Sequence, residues 1–200
     1  NGKTGTEMHN QYAYWYARRM NEAFTGRMGK DFVLFQRAGC AGSQHYAASF
    51  GGDIISSFLG FRRNIYEILS ASSSGISIWG SDMGGFFPGE LAPGTPEMEE
   101  LFIRWIQFSA FSPLMREHSW EGHHQPWNVG KTAGVVLKDY YTRRLTFLDA
   151  IYSAALQSAT EGGTVVESMA VAYGLSPSID TQYIFCDTFL ARPITQLGQR

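Results

Sequence analysis

The sequence predicts an α/β protein: the second half of a (β/α)8 TIM barrel, followed by the start of an all-β domain. Short apolar segments alternate with helical segments over residues 1–161, polar side chains follow the apolar segments, and the pattern changes to strands alone near Gly162. About four strand–helix units fit here, whereas a complete barrel needs eight units and about 250 residues. We therefore expect a half-barrel over residues 1–161 and the beginning of a β-sandwich-like domain over residues 162–200.

The first half of the chain predicts an opening helix, two strands and a second helix. Aromatic residues spaced for one helical face predict a helix over residues 10–24, and the apolar run 32–35 predicts a buried parallel strand. A second, weaker strand over residues 47–50 leads through two glycines into a helix over residues 56–70.

The second half repeats the pattern and then loses its helices. A strand over residues 75–79 precedes a glycine-rich loop, and Thr95 is a predicted N-cap for a helix over residues 96–111. Three further segments follow in the half-barrel: an apolar run at 112–118, a loop at 119–132 and one long helix at 138–160. Two apolar segments at 164–169 and 182–185, with no helix between them, predict an antiparallel sheet.

Composition narrows the classes of partner. The formal charge of 16 basic against 18 acidic residues is −2, which gives no electrostatic reason to expect nucleic acid or an anionic membrane as a partner. No apolar run reaches the roughly 20 residues of a membrane span. Cys40 and Cys186 match no metal-binding spacing and favour free thiols over a single disulfide. No targeting segment is visible, which leaves cytoplasmic and secreted locations of a soluble protein both open.

Asp53 is the best candidate for a catalytic carboxylic acid. It follows Gly51 and Gly52 at a strand end, and the carboxyl ends of barrel strands are where substrates bind. An aromatic-lined pocket would raise the pKa of this carboxyl and allow it to donate a proton at neutral pH. The alternative is that Asp53 caps the helix that starts near Ser56, and the two roles can coexist.

Three other polar residues end strands and are candidates for binding. Arg37 needs a carboxylate or a ligand oxygen, so it predicts either a structural ion pair or a substrate contact. Asp82 could accept from a substrate hydroxyl or pair with a barrel arginine, or it could form an Asx-turn. His118 could hydrogen-bond sugar hydroxyls, while a metal site with His123 and His124 is a weaker idea because their spacing matches no ligand motif.

Segments spread along nearly the whole chain resemble glycoside hydrolase family 31, the family of retaining α-glucosidases and α-xylosidases. Any one segment is a weak signal, and the resemblance rests on their common order. Residues 9–12 resemble the family's HNxY helix start, 35–46 its SRAGxAGSQRY strand and loop, 50–53 its WxGD motif, 75–86 its GxxxxGxDIGGF, and 101–118 its ELxxRWxQxGAFxPxMRxH.

The resemblance implies a role for each matching position. Asp53 falls on the family's general acid/base. Arg37, Asp82, Phe86 and His118 fall on positions that line its sugar-binding subsite.

Two positions depart from the family pattern. Phe50, which would wall the pocket with Phe86, stands where the family usually has Trp, so an aromatic ring is kept but the indole N–H donor is lost. His45 stands where Arg is common. Both departures bear on substrate specificity more than on mechanism.

The resemblance also implies that one catalytic group lies outside this chain. A retaining glycosidase needs two carboxyl groups about 5 Å apart, one as nucleophile and one as acid/base. The family's nucleophile is an Asp on a strand just before the HNxY segment, but Glu7 is the one carboxylate that precedes His9 here. We therefore expect the nucleophile upstream, in the rest of the parent polypeptide, which is then a partner of this chain.

The expected activity is double displacement on an oligosaccharide or glycoside, most like that of an α-glucosidase, with no metal or organic cofactor. An α-xylosidase, an α-galactosaminidase and a transglycosylase of the same family stay open as alternatives. Two rivals of other classes are a catalytically inactive carbohydrate-binding or structural module and a metal hydrolase.

Overall fold

Four short parallel strands form the central sheet. The computed structural model describes residues 2–199. The strands are β1 (Phe35–Gln36), β2 (Ala48–Phe50), β3 (Trp79–Asp82) and β4 (Leu114–Arg116), and each pairs in parallel with the next in the order β1-β2-β3-β4. The predicted half-barrel is confirmed, since consecutive parallel strands joined by helical crossovers are the repeating unit of this architecture.

Helices connect β2 to β3 and β3 to β4, a 3₁₀ turn lies between β1 and β2, and further helices precede and follow the sheet. In chain order they are α1 (Gly5–Met8), α2 (Tyr12–Met28), α3 (Phe58–Ser73), α4 (Pro96–Ala110), α5 (Pro126–Val129), α6 (Ala133–Thr146), α7 (Leu148–Thr160) and α8 (Met169–Tyr173), with short 3₁₀ turns at His9–Gln11, Ser43–His45 and Trp120–Gly122.

Strand register determines which side chains share a face of the sheet. Phe50 lies opposite Gly80, and Asp82 lies opposite Arg116. Because successive side chains in a strand point to opposite faces, Phe50, Asp82 and Arg116 project from the same face, the concave one. Trp79 and Ser81 project from the other face.

The convex face carries the core. Helices α3 and α4 pack there with fully buried aromatic side chains, and the rings of Phe61 and Trp105 lie 5.1 Å apart. The indole Nε1 of Trp105 donates to Ser81 Oγ at 3.3 Å, which connects α4 to β3. Burying rings of this size gives each about 2–3 kcal/mol of hydrophobic stabilisation, so the position of the sheet is fixed from this side.

Side-chain caps start the two core helices. The Met98 backbone N–H donates to Thr95 Oγ1 at 3.3 Å, as predicted for the start of α4. At the start of α3 the cap is Ser57, whose Oγ accepts from the Gly60 N–H at 3.0 Å. Asp53 therefore does not cap this helix, and the alternative structural role given to it is wrong.

Several predicted boundaries differ from the observed ones, and the loop expected at 119–132 contains helix α5. The buried strand expected at 32–35 is observed at Phe35–Gln36, and Val33 is exposed, because β1 is the edge strand and pairs on one side alone. The strand expected at 75–79 begins at Trp79 and includes Asp82. The opening helix continues through Gly26 to Met28, where Gly29 ends it with φ +68°.

The single long helix expected at 138–160 is two helices, α6 and α7, which meet at Phe147. The ring of Phe147 stacks on Phe111 at 5.5 Å and packs against Phe189 at 5.2 Å. These tertiary contacts hold Phe147 at φ −121°, outside the helical region. The helical periodicity of the sequence gives no indication of these tertiary contacts.

The last residues form a three-stranded antiparallel sheet of β5 (Val166–Ser168), β6 (Tyr183–Phe185) and β7 (Phe189–Ala191). Helix α8 lies between the first two strands, which corrects the expectation of no helix there. The sheet packs on the half-barrel through Phe185 and Phe189, and the Tyr183 hydroxyl donates to the Phe111 carbonyl at 2.9 Å. That residues 162–200 begin a separate domain stays a prediction.

The structure bears on two expectations drawn from the composition, one about the cysteines and one about membrane spans. Both cysteines are free, Cys186 buried and Cys40 partly so. Over residues 2–199, none of the helices combines the length and the apolar character needed to cross a bilayer.

Candidate active site

The predicted site residues gather at the carboxyl ends of the parallel strands. Each lies at or just beyond the end of a strand, as the barrel architecture requires for residues that meet substrate. They are Arg37 after β1, Phe50 and Asp53 at and after β2, Asp82 and Phe86 at and after β3, and His118 after β4.

Arg37 and Asp53 form an ion pair across two adjacent strands. Arg37 Nη1 lies 2.9 Å from Asp53 Oδ1, with 59% and 33% of the two side chains exposed. Gly52 makes this approach possible: it adopts φ +82°, and a Cβ there would lie 2.8 Å from Arg37 Cδ. Asp53 is thus a partly exposed, paired carboxylate, which corrects the expectation of an apolar, aromatic-lined environment.

Asp82 is the buried carboxylate of the site. Only 1% of its side chain is exposed, and burial raises its pKa to about 6, an effect that the nearby charges of Arg116 and His118 oppose. Its carboxylate accepts no hydrogen bond from described residues, and Gly85 bonds to its backbone carbonyl instead. The Asx-turn alternative is therefore wrong, and a barrel arginine is the observed partner.

That arginine is Arg116, which was not among the predicted site residues. Its Nη2 lies 3.3 Å from Asp82 Oδ1, without hydrogen-bond geometry. Its guanidinium also lies 4.6 Å from the ring centroid of Phe50 and 5.1 Å from that of Phe35, within cation–π range. The two rings stack on each other at 4.8 Å. Arg116 thereby connects strands β1, β2, β3 and β4.

Phe86 is held by backbone hydrogen bonds to the segment that follows Asp53. The Ile54 carbonyl accepts from the Phe86 N–H at 2.6 Å, and the Phe86 carbonyl accepts from the Trp120 N–H at 2.9 Å. The Phe86 ring packs 5.1 Å from His118. Three loops that carry predicted site residues are therefore joined directly to one another.

His123 and His124 lie apart from the polar residues named above and form a pair. Their ring nitrogens approach to 2.9 Å, and His124 is fully buried against Phe102 and Gly84. Burial lowers the pKa of His124 to about 4. Over residues 2–199, no three His, Cys, Asp or Glu side chains are grouped closely enough to hold a metal ion, so His118 does not join the pair as the metal-hydrolase alternative requires.

A large cavity lies at the opposite end of the sheet. Its volume is about 1080 Å³, and it opens between α2 and α7. Its lining includes Leu34, Ala47, Ile78 and Pro113, which immediately precede the four strands. None of the predicted site residues touches it. The site is instead an open surface at the carboxyl ends.

The chemistry available at this surface is proton transfer and hydrogen bonding to a neutral ligand. Asp53 can exchange a proton with a group at the surface, while Arg37 donates and Asp82 accepts hydrogen bonds. Aromatic rings lie beside the neighbouring polar groups, Phe50 at Arg116 and Phe86 at His118. A neutral, polyhydroxylated molecule with apolar ring faces matches this combination.

Comparison with known proteins identifies the same fold. Residues 1–154 match the profile described as the "Glycosyl hydrolases family 31 TIM-barrel domain". The match covers the four parallel strands, α1 to α6 and most of α7.

Three curated relatives cover nearly the whole chain. An α-xylosidase of Saccharolobus solfataricus is 31% identical over 96% of the chain, and an isomaltosyltransferase of Sporosarcina globispora is 31% identical over all of it. The human neutral α-glucosidase AB is 30% identical over 96% of the chain. The chain spans 26%, 19% and 20% of their respective lengths.

A solved structure matches the fold over the full chain. The cycloalternan-forming enzyme of Listeria monocytogenes, determined in complex with a pentasaccharide substrate, superposes with a TM-score of 0.89 at 32% identity. The match covers 100% of this chain and 20% of that enzyme.

Proposed function

This chain belongs to glycosyl hydrolase family 31, and from that membership we propose that it supplies the acid/base side of the active site of a retaining α-glycoside hydrolase. The observation that carries the proposal is the convergence of Asp53, Arg37, Asp82 and His118 at the carboxyl ends of four adjacent parallel strands. The sugar at the non-reducing end of an oligosaccharide or glycoside is the proposed substrate group.

In the proposed reaction Asp53 acts twice. Its carboxyl first protonates the leaving oxygen while an upstream Asp, outside this chain, attacks the anomeric carbon and forms a glycosyl ester. After the leaving group departs, the Asp53 carboxylate removes a proton from water, whose oxygen attacks the same carbon and releases the sugar with retained configuration. The 33% exposure of the Asp53 side chain supports this assignment, because the group must meet both substrate and water.

The other residues bind and orient the sugar. Asp82, once its buried carboxylate is uncovered, accepts from sugar hydroxyls, while Arg116, 3.3 Å away and more exposed, holds the carboxylate in place. Arg37 and His118 donate to sugar oxygens, and Phe86 and Phe50 form the walls. Positioning of this kind accelerates the reaction, because a substrate that is already oriented loses little further entropy on reaching the transition state.

Glucose is the proposed sugar, and xylose is the alternative that the relatives support, since both an α-glucosidase and an α-xylosidase are about equally similar to the chain. A sugar hydroxyl in place of water in the second step would give transglycosylation. The isomaltosyltransferase relative supports that outcome as a second candidate function.

We further propose that the rest of the parent polypeptide completes the barrel against this chain. The cavity at the amino ends of the strands is mainly apolar and open to solvent between α2 and α7. The strand β1 is unpaired along its outer edge within the described residues. An unpaired edge and an open apolar surface are both unfavourable in water, and four further strands would cover them.

The test uses the full-length parent carrying Asp53→Ala. We expect hydrolysis of unactivated α-glucosides or α-xylosides to fall by about 10²–10⁴-fold. An α-glycosyl fluoride needs no protonation of its leaving group, so its first step should persist. Azide, a nucleophile that needs no base, should then restore turnover and yield the α-glycosyl azide.

Asp31→Ala serves as the matched control, because Asp31 is exposed in the loop before β1. It should leave every rate unchanged. The proposal fails if Asp53→Ala retains full activity on unactivated glycosides. It also fails if the variant folds normally but loses the fluoride reaction without azide rescue.

A further inference from the structure

We propose that Ile55, Phe87 and Trp120 form a second carbohydrate-binding surface, which we call the aromatic shelf, for the sugar on the leaving side of the scissile bond. The three side chains are 55%, 37% and 47% exposed. The rings of Phe87 and Trp120 lie 5.7 Å apart, tilted by 38°. The proposal deepens the function proposed above and rests on it.

The shelf is continuous with the predicted sugar-binding residues. Phe86 packs 5.1 Å from His118 on one side and 6.0 Å from Trp120 on the other. Exposure increases in the same direction, from the almost fully buried Asp82 to the half-exposed Trp120. A sugar bound at Asp82 would therefore lie deep, and the next ring of the substrate would reach the shelf at the mouth.

Asp53 determines which side of the scissile bond the shelf serves. The leaving oxygen receives its proton from Asp53, so the leaving sugar passes the segment that follows this residue. Ile55 lies two positions after Asp53 and forms an isolated parallel bridge with Phe87. The shelf thus includes the backbone segment that carries the acid/base. A site for the leaving sugar must lie next to that residue.

The shelf is held in place before any ligand arrives. The Phe87 N–H donates to the Ile54 carbonyl at 3.1 Å, and the Phe87 carbonyl accepts from the Ser56 N–H at 2.9 Å. Gly89 packs so tightly on this segment that any Cβ would overlap the Ser56 carbonyl oxygen. Fixed rings lose little conformational entropy on binding, which favours affinity.

Trp120 is positioned by an unusual turn. The next residue, Glu121, adopts φ 50°, a left-handed conformation that costs a non-glycine residue energy. The Trp120 carbonyl accepts from the His123 N–H at 3.2 Å and lies 3.0 Å from its ring Nδ1. The surrounding structure thus holds Glu121 in a backbone conformation that it does not prefer, and this turn positions the half-exposed indole of Trp120 at the mouth of the site.

The chemistry of the shelf selects a neutral ligand with apolar faces. Its side chains carry no charge, and the indole N–H is their one polar group. Large rigid rings of this type contribute contact area at low entropic cost. The C–H faces of a pyranose ring match such a surface, while its hydroxyl edge stays in water.

The test compares two substrates of the full-length parent with and without Trp120→Ala. One is an α-glycosyl fluoride, tested both as the glucosyl and as the xylosyl compound. Its fluoride is too small to contact the shelf. The other is an α-linked disaccharide, either a glucose disaccharide or xylosyl-α-1,6-glucose. We expect kcat/KM to fall about tenfold for the disaccharide, the size of a good aromatic contact, and to stay within twofold for the fluoride.

Two variants control the result. Trp120→Phe keeps a ring and should lose less than threefold on the disaccharide. Trp127→Ala removes another exposed indole, 77% exposed on α5 and away from the shelf, and should change neither substrate. Thermal unfolding of each variant checks that the fold is intact.

Equal losses on both substrates would overturn the shelf, because Trp120 would then act only by supporting Phe86. No loss on either would also overturn it, and would indicate that another segment of the parent covers these residues. If the wild-type parent hydrolyses neither glycosyl fluoride nor disaccharide, the proposed function fails and the shelf fails with it.

Discussion

The Nη1 atom of Arg37 lies 2.9 Å from the Oδ1 atom of Asp53, so the proposed acid/base carboxyl is paired with a cation from the neighbouring strand. Asp53 can donate a proton only when it is protonated, and a protonated carboxyl forms no ion pair with a guanidinium. The ionic attraction within the pair must therefore be lost when Asp53 takes up its proton. A sugar oxygen that draws Arg37 away would couple substrate binding to release of Asp53.

Arg37→Met should lower kcat/KM on disaccharides by about 10–100-fold, because the variant loses both a hydrogen-bond donor to the sugar and control over Asp53. Stability should change by less than about 1 kcal/mol, since exposed ion pairs contribute little. Steady-state kinetics and thermal unfolding of the parent check both. Arg19→Met, which breaks the exposed 2.7 Å pair with Glu22, is the matched control and should leave kinetics unchanged. An Arg37 variant with wild-type kinetics would contradict the coupling.

Asp82→Asn should stabilise the protein at neutral pH while reducing activity. Burial raises the pKa of Asp82 from 3.8 to about 6, so between these values the folded state binds more protons than the unfolded state. Stability therefore falls as pH rises through this window, and the whole loss is present above pH 6. Asparagine avoids it, and we expect a gain of about 1–3 kcal/mol, seen as a higher thermal midpoint at pH 7.

The same midpoint difference should vanish at about pH 3, where Asp82 is mostly protonated in both states. Asp139→Asn, at an exposed pair with Arg143, should show no such pH dependence. If Asp82→Asn is less stable than the wild type at pH 7, the ion pair with Arg116 outweighs the desolvation of the carboxylate.

The fold was predictable from the sequence because its signals are local. Alternating apolar and helical segments indicate parallel strands, and polar residues at their ends indicate the face that binds. The sequence also indicated that Arg37 and Asp82 need partners, because a charged group at the end of a buried strand is unfavourable without one. It did not show that their partners are Asp53 and Arg116.

Those partners depend on register, which no single segment encodes. Arg116 lies opposite Asp82 because β3 and β4 pair in one particular alignment. Side chains alternate between the two faces along each strand. Once the alignment of β3 and β4 is known, this alternation places Asp82 and Arg116 on the same face. The helix break at Phe147 is harder still, because rings from distant segments produce it.

His124 should make the protein less stable in acid. Burial lowers its pKa from 6.5 to about 4, so as pH falls between these values the unfolded state takes up a proton that the folded state refuses. The stability lost over this window is up to roughly 3 kcal/mol. His124→Phe should lower the midpoint at pH 7 and remove this contribution to the pH dependence between pH 6.5 and pH 4.5. His45→Phe, at an exposed histidine, should leave the slope unchanged.

The slopes of His124 and Asp82 have opposite signs over the same pH range. The wild-type protein should consequently show a weak net dependence between pH 4 and pH 6, and each single variant should expose the contribution of the other residue. A slope that is the same in wild type and His124→Phe would mean that the imidazole is charged, or absent from the acid response.

Among substitutions away from the proposed site, Arg144→Met should be one of the most destabilising in the half-barrel. The guanidinium donates to the carbonyls of Ala110, Ser112 and Pro113 at 2.6–2.8 Å and so fixes the end of α4 against the start of β4. Methionine fills similar volume but leaves these acceptors unpaired, at about 1–3 kcal/mol each when buried. We expect a net loss of about 3–5 kcal/mol, read as a lower thermal midpoint of the parent.

The neighbouring Arg143 provides the matched control, because it lies on the same helix with 67% of its side chain exposed and pairs with Asp139 one turn earlier. Arg143→Met should cost less than about 1 kcal/mol. Because β4 leads directly to Arg116 and His118, Arg144→Met should also lower kcat at temperatures where the protein stays folded. Equal midpoints for the two variants would show that the three carbonyls find other donors, and that the start of β4 is held by its strand pairing alone.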